Sequence, residues 1–141
     1  MLRRMAVGVA LLFLAAGCTL GARADAPCDD LLAALNKKPA ALEFQGCKPR
    51  TDLQGQPSEA SYRVPGAQAA GVEESLTKEL RIKRLQRTCC LWESTRNSYR
   101  DRRGRLFVIS MATEETTIDS RSEWAKIPYF YVTVDLYRDD P

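Results

Sequence analysis

Residues 27–39, PCDDLLAALNKKP, carry apolar side chains at Cys28, Leu31, Leu32 and Leu35, the i, i+3, i+4, i+7 spacing of one helical stripe. Pro27 suits a first turn, Asp29 and Asp30 complement the positive end of the helix dipole, and Lys37 and Lys38 the negative end. Pro39 is the predicted stop. The period then changes to two. ALEFQGC (41–47) sets Leu42 and Phe44 against Glu43, Gln45 and Cys47, and SEASYRV (58–64) puts Ala60, Tyr62 and Val64 on one face. The intervening TDLQGQP (51–57) has the Asp, Gly and Pro of a loop. PGAQAAGVEESLTKEL (65–80) returns to the helical period, with Ala69, Val72, Leu76 and Leu80 as its stripe.

The second half of the chain reads mostly as strands. RLQRTCCLWEST (84–95) and RLFVISMAT (105–113) form a candidate pair, with DRRG (101–104) as a type I turn between them. SRSE (120–123) has the capping-box pattern and predicts a short helix carrying Trp124 and ending near Pro128. YFYVTVDLY (129–137) is the strongest strand in the chain. Phe130, Val132, Val134 and Leu136 face one way, and Tyr129, Tyr131, Thr133, Asp135 and Tyr137 the other. The order α-β-β-α-β-β-β predicts one α+β domain over 27–141: a mostly antiparallel sheet of about five strands with two main helices on one face.

The first residues stand apart from this domain. Arg3 and Arg4 precede AVGVALLFLAAG (6–17), an apolar run too short to span a bilayer but suited to the core of a signal peptide over 1–17. LAAGC (14–18) resembles a bacterial lipobox, in which Cys18 is lipidated and becomes the new N-terminus, leaving 18–26 as a tether. A second route is cleavage after Ala24 at Ala22-Arg23-Ala24, which releases a soluble protein. The first route predicts the periplasmic face of the outer membrane, since Thr19 rather than aspartate follows the cysteine; the second predicts a soluble periplasmic protein.

Export changes how charge and cysteine are read. The chain has 21 basic and 18 acidic residues, and loss of Arg3 and Arg4 with the leader brings it close to neutral, so no global field argues for nucleic acid. Locally the balance is uneven. Arg81, Lys83, Arg84, Arg87, Arg96, Arg100, Arg102, Arg103 and Arg105 face only Glu93 and Asp101 in the same segment, whereas 113–141 is acidic. Either the two segments pair, or the basic one is a docking patch for an acidic partner or an anionic surface. Arg100, Arg102, Arg103 and Arg105 are the candidates there. Tyr129, Tyr131 and Tyr137, with Trp124 nearby, form a second candidate surface on the open face of the sheet, either for binding or for cross-strand support.

With Cys18 lipidated or removed, Cys28, Cys47, Cys89 and Cys90 remain, an even set that reads as two disulfides in an oxidising compartment. If 84–95 is a strand, Cys89 and Cys90 point to opposite faces, and each takes one partner from Cys28 and Cys47. A bond between 89 and 90 themselves is incompatible with a regular strand. Zinc or redox use of these cysteines fits poorly, because neither paired ligand spacing nor Cys-x-x-Cys is present.

The chain has no histidine, which removes Ser-His-Asp and Cys-His catalysis and the commonest ligand of catalytic zinc. There is no phosphate loop or dinucleotide fingerprint. No metal, cofactor or catalytic residue is predicted. Carboxylates such as Glu93, Glu114, Glu115, Asp119 and Asp135 have no spacing that singles out a pair; Glu93, beside Trp92, is the one expected to have a specific partner.

CDDLL (28–32), SYRV (61–64), CCLWE (89–93), ISMATEET (109–116) and IPYFYVTVDLY (127–137) together resemble a family of small exported bacterial proteins, the domain of unknown function 4952. The resemblance implies one exported domain with four shared cysteines over nearly the whole mature chain, and implies no activity. The expected function is that of a non-enzymatic binding module for an unknown protein or envelope component, anchored to the membrane through an N-terminal lipid. Other readings are a periplasmic inhibitor or immunity protein against a toxic enzyme, a part of a larger envelope assembly, and a carboxylate-dependent enzyme with Glu93 or Glu115 facing a tyrosine.

Overall fold

A computed structural model describes residues 28–138. The leader, both cleavage sites, Cys18 and the tether lie outside the described residues. The elements in chain order are α1 (Leu31–Ala34), β1 (Glu43–Pro49), β2 (Ser58–Pro65), α2 (Gly66–Leu80), β3 (Gln86–Thr88), β4 (Leu91–Glu93), β5 (Asn97–Arg100), β6 (Leu106–Thr113), a 3-10 helix (Arg121–Lys126) and β7 (Tyr129–Leu136). The strands form one antiparallel sheet of seven, ordered β1-β2-β7-β6-β4-β3, with β5 also pairing β6.

The sheet has more strands than the five expected, because the segment read as one strand over 84–95 reverses at Cys89 and Cys90 and becomes the hairpin β3–β4. Residues 97–100 add β5, which joins β6 through the Asp101–Gly104 turn, closed by Gly104 N–H donating to Asp101 O at 2.9 Å. The first helix is also shorter than the predicted 27–39. Asp30 caps its start through the Ala33 amide at 3.1 Å. Asn36, at φ 55°, ends it after one turn, with Asn36 N–H donating to Ala33 O and Lys37 N–H to Leu32 O. That is a Schellman ending with asparagine in the left-handed position, and it stops the helix three residues before Pro39.

Strict alternation places the core. β2 buries Ser58, Ala60, Tyr62 and Val64, and β6 buries Phe107, Ile109, Met111 and Thr113. β7 adds Phe130, Val132, Val134 and Leu136, and α2 lays Ala69, Val72, Leu76 and Leu80 against them. Trp92 meets Trp124 edge-on at 5.2 Å, and Trp124 packs on Phe130 at 4.8 Å. The buried Tyr62 hydroxyl donates to Asp30 and accepts from the Leu32 amide, both at 3.0 Å, tying α1 to the sheet. At the start of α2, a Cβ on Gly66 would lie 2.1 Å from the carbonyl oxygens of Trp124 and Ile127, so only glycine lets the helix meet the 3-10 helix this closely.

Candidate functional site

The hairpin β3–β4 lies at one edge of the sheet and carries the centre of the basic segment. Its backbone register with β6 is a single pair, Glu93↔Ala112. Two more backbone bonds, Ser94 N–H to Met111 O at 2.8 Å and Thr116 N–H to Cys90 O at 2.7 Å, and several side chains hold the rest. The Trp92 amide donates to Thr113 Oγ1 at 3.0 Å, the Met111 amide to Ser94 Oγ at 2.9 Å, and the Trp92 indole to Ile118 O at 2.9 Å. Arg87 Nη2 donates to Thr116 O at 2.6 Å.

Behind the hairpin lies a carboxylate that helical periodicity placed on a buried face but sequence reading passed over. Glu73 is 0 % exposed. It accepts two bonds from Arg121, at 2.7 and 2.9 Å, and one from the Leu85 amide at 2.6 Å. Arg121 also donates to Leu85 O at 2.7 Å and stacks over Trp124 at 4.5 Å. Burial alone raises the Glu73 carboxyl, but the bonds from Arg121 and Leu85 outweigh it and hold the group below the ordinary glutamate range. This cluster fixes the segment 82–85, from which Lys83 and Arg84 project.

A groove of about 580 Å³ runs beside the hairpin, lined by Lys83, Arg84, Gln86, Thr88, Glu93, Ser94, Thr95 and Arg96. Arg96 is tethered to Asp135 at 2.7 Å. Lys83 and Arg84 are exposed and make no ion pair among the described residues. Glu93 forms part of the wall of this groove, and among the described residues no ion pair or side-chain hydrogen bond marks the specific partner expected for it. No tyrosine among the described residues lines it. Glu115 lines a separate hollow with Cys90, Thr116 and Thr117, also without a tyrosine.

Arg102, Arg103 and Arg105 line a different depression of about 620 Å³, with Lys37 and Tyr99. Arg105 bonds Asp101 at 2.8 Å; burial raises the Asp101 carboxyl, and the Arg105 bond and the loop amides bring it below its usual range. Arg100 is exposed and donates to Gly104 O at 3.0 Å. Arg96 pairs with Asp135 of the acidic tail at 2.7 Å. Burial raises the Asp135 carboxyl, and Arg96 offsets this only in part; its Oδ1 has no hydrogen-bond partner among the described residues.

The predicted aromatic surface does not assemble. Trp124 is 2 % exposed and packs in the core, because the 3-10 helix folds over the helical face of the sheet rather than the open one. Tyr129 is half-buried under the Arg63 guanidinium at 4.5 Å, and Arg63 pairs with Glu43 at 2.7 Å, which is cross-strand support. Tyr131 is 39 % exposed and lies at the same end of β7. Tyr137 lies at the far end, where its amide donates to Leu106 O at 3.0 Å. At roughly 3.4 Å per residue, that separates Tyr137 from Tyr129 by about 27 Å.

The cysteines also depart from expectation. Cys28 bonds Cys47, joining the start of α1 to β1. Cys89 and Cys90 are free thiols, so neither predicted cross-link forms. The physical reason is the turn. The alternation that assigned the two side chains to opposite faces fails where the chain reverses, and Cys89 has φ 50°. No group of three or more Cys, Asp or Glu residues is arranged to hold a metal among the described residues, and no helix there is long and apolar enough to cross a membrane.

The family model for the domain of unknown function DUF4952 matches residues 18–92. That span includes CDDLL, SYRV and most of CCLWE but ends before ISMATEET and IPYFYVTVDLY, so it is shorter than the predicted extent of the resemblance. No curated protein and no solved structure matches the chain.

Proposed function

The chain belongs to the DUF4952 family, whose name assigns no activity, and from that premise we propose that it is an exported, non-enzymatic binding module that engages an acidic partner through the groove beside β3–β4. The observation that carries this reading is the exposure of Lys83 and Arg84, neither in an ion pair among the described residues, on a segment held by Glu73 and Arg121. Arg96 completes a cationic rim, and Gln86, Thr88, Ser94 and Thr95 supply hydrogen-bonding groups between the charges. Charges fixed on a supported backbone lose less entropy on binding than charges on a mobile loop. The partner is an envelope protein or another envelope component bearing carboxylates or phosphates. The lipobox reading places the module on the periplasmic face of the outer membrane through Cys18, with the soluble periplasmic form as the alternative.

Capture from envelope extracts tests the groove. The native protein is expected to recover a specific partner in a salt-sensitive manner, and Lys83→Glu with Arg84→Glu to lose it. Equal recovery by the charge-reversed protein would overturn the assignment. Lipid labelling of Cys18→Ser tests the anchor separately: labelling should vanish, and persistence would rule the lipobox out.

A further inference from the structure

We propose that Cys89 and Cys90 are a redox modification site, closing a disulfide with each other at the tip of the β3–β4 hairpin. Thr88 pairs with Leu91, so the two cysteines are the central residues of a two-residue turn. Such turns demand positive φ at one or both central positions and normally use glycine or asparagine there. Cys89 occupies that position with φ 50°, a conformation side chains adopt at a cost. The same bend sends both side chains to one side, and Cys89 Sγ donates toward Cys90 Sγ across 3.0 Å. A disulfide needs about 2.05 Å, so closure requires the sulfurs to approach by about 1 Å.

Three further observations support this pairing. Cys28 and Cys47 are already joined, which leaves each member of the turn pair with the other as its thiol neighbour among the described residues. Cys89 is exposed, and Cys90 borders a hollow of about 510 Å³ with Glu115, Thr116 and Thr117, so an oxidant can reach the sulfurs. The turn is anchored: the Thr116 amide donates to Cys90 O at 2.7 Å, which fixes the backbone beneath the two sulfurs.

The reaction is thiol–disulfide exchange with a disulfide-bearing oxidant, either a small molecule or a protein. One cysteine, as thiolate, attacks the external disulfide and releases one thiol. The second cysteine attacks the mixed disulfide and releases the other. The Cys89–Cys90 S–S bond forms, the external S–S bond breaks, and the two protons and two electrons of the pair leave with the released thiols. Neighbouring cysteines have Cα atoms about 3.8 Å apart, closer than ordinary disulfides allow, so this bond is strained as well as exposed. It is therefore expected to open under milder reduction than Cys28–Cys47.

The test is to isolate the exported protein without reductant, acid-quench it, alkylate it and digest it with trypsin, which releases Thr88–Arg96 with both cysteines and no other. The peptide is expected to lack two hydrogens relative to the dithiol and to carry no alkyl group. In a graded dithiothreitol titration it should gain two alkyl groups before Cys28 and Cys47 become reactive. Alkylation of both Cys89 and Cys90 in protein treated with excess oxidised glutathione, while Cys28 and Cys47 stay protected, would overturn the proposal. Cys90→Ser provides the second check. Cys89 should then accept one alkyl group or one glutathione, and its continued protection would mean that its partner is a different cysteine.

Discussion

The two edges of the sheet are held in different ways. At one edge β1 pairs with β2 from Glu43↔Arg63 to Pro49↔Ser58, interrupted by a single irregularity between Phe44 and Gly46. The Cys28–Cys47 bond and the ion pairs of Glu59 with Arg50 and Lys48 reinforce it. At the other edge the β3–β4 hairpin has one ladder pair with β6 and two further backbone bonds, from Ser94 to Met111 and from Thr116 to Cys90, and leans more on side chains: Thr113, Ser94, Arg87, the Trp92 indole and the Glu73–Arg121 pair. A ladder-held edge survives the loss of any single side chain. An edge that leans on side chains is more sensitive to such a loss, and its stability depends on the protonation of a buried carboxylate. The more adjustable edge is also the one with the cationic groove and the free thiols.

Breaking the Glu73 pair is expected to have the largest effect. Arg121→Met leaves a buried carboxylate without its cation and costs about 3 kcal/mol in urea unfolding, the lower end for such pairs because Arg121 is partly exposed and screened. Its pH dependence is distinctive. With Glu73 held low in the folded state, the native contact contributes fully above the unfolded carboxylate range and is lost as pH falls through the lower folded value. In Arg121→Met this loss on acidification should disappear. Asp135 has the opposite sign: its folded value is raised, so its ionisation opposes folding and stability is regained as pH falls through that raised value. Asp135→Asn should flatten that part of the profile.

Removing the staple of the other edge comes next. Cys28→Ser with Cys47→Ser should cost about 3 kcal/mol, the entropy of closing a loop of this length, with the denaturation midpoint falling. Hydrogen exchange should then rise at β1 more than at β4. Thr113→Val removes the hydroxyl that accepts from the Trp92 amide and should cost about 1 kcal/mol, with exchange rising at the β3–β4 edge instead. The smallest effect is expected at the turn: Cys89→Gly relieves a positive φ and should change stability by less than about 1 kcal/mol. Loss of protection at the same edge in all variants would erase the contrast between the two.

Much of the fold was legible in the residues. The stripe Ala69, Val72, Leu76, Leu80 and the alternation of 58–64 and 129–137 appear in the structure because burial enforces the same periodicities that define helix and strand. Asn36 was a legible stop signal that the more conspicuous Pro39 obscured. The hairpin was not legible. RTCCLWE contains no glycine, asparagine or proline to announce a reversal, and its alternation continues the pattern of a strand. The candidate site was legible only in part. The basic run stood out, but the residues that support it, Glu73 and Arg121, are 48 positions apart and meet only in the folded chain.

The amino-acid sequence by itself determined the α+β class, the faces of the main strands and α2, and the clustering of positive charge, because each depends on local periodicity or local composition. Tertiary structure alone decided which cysteines meet, that Trp124 turns into the core, and that Lys83 and Arg84 are left exposed and outside any ion pair among the described residues. These outcomes depend on which distant segments come to lie side by side. A pair such as Glu73 and Arg121 has no signature along the chain, because the free energy that joins them arises only when folding buries Glu73 and brings Arg121 against it.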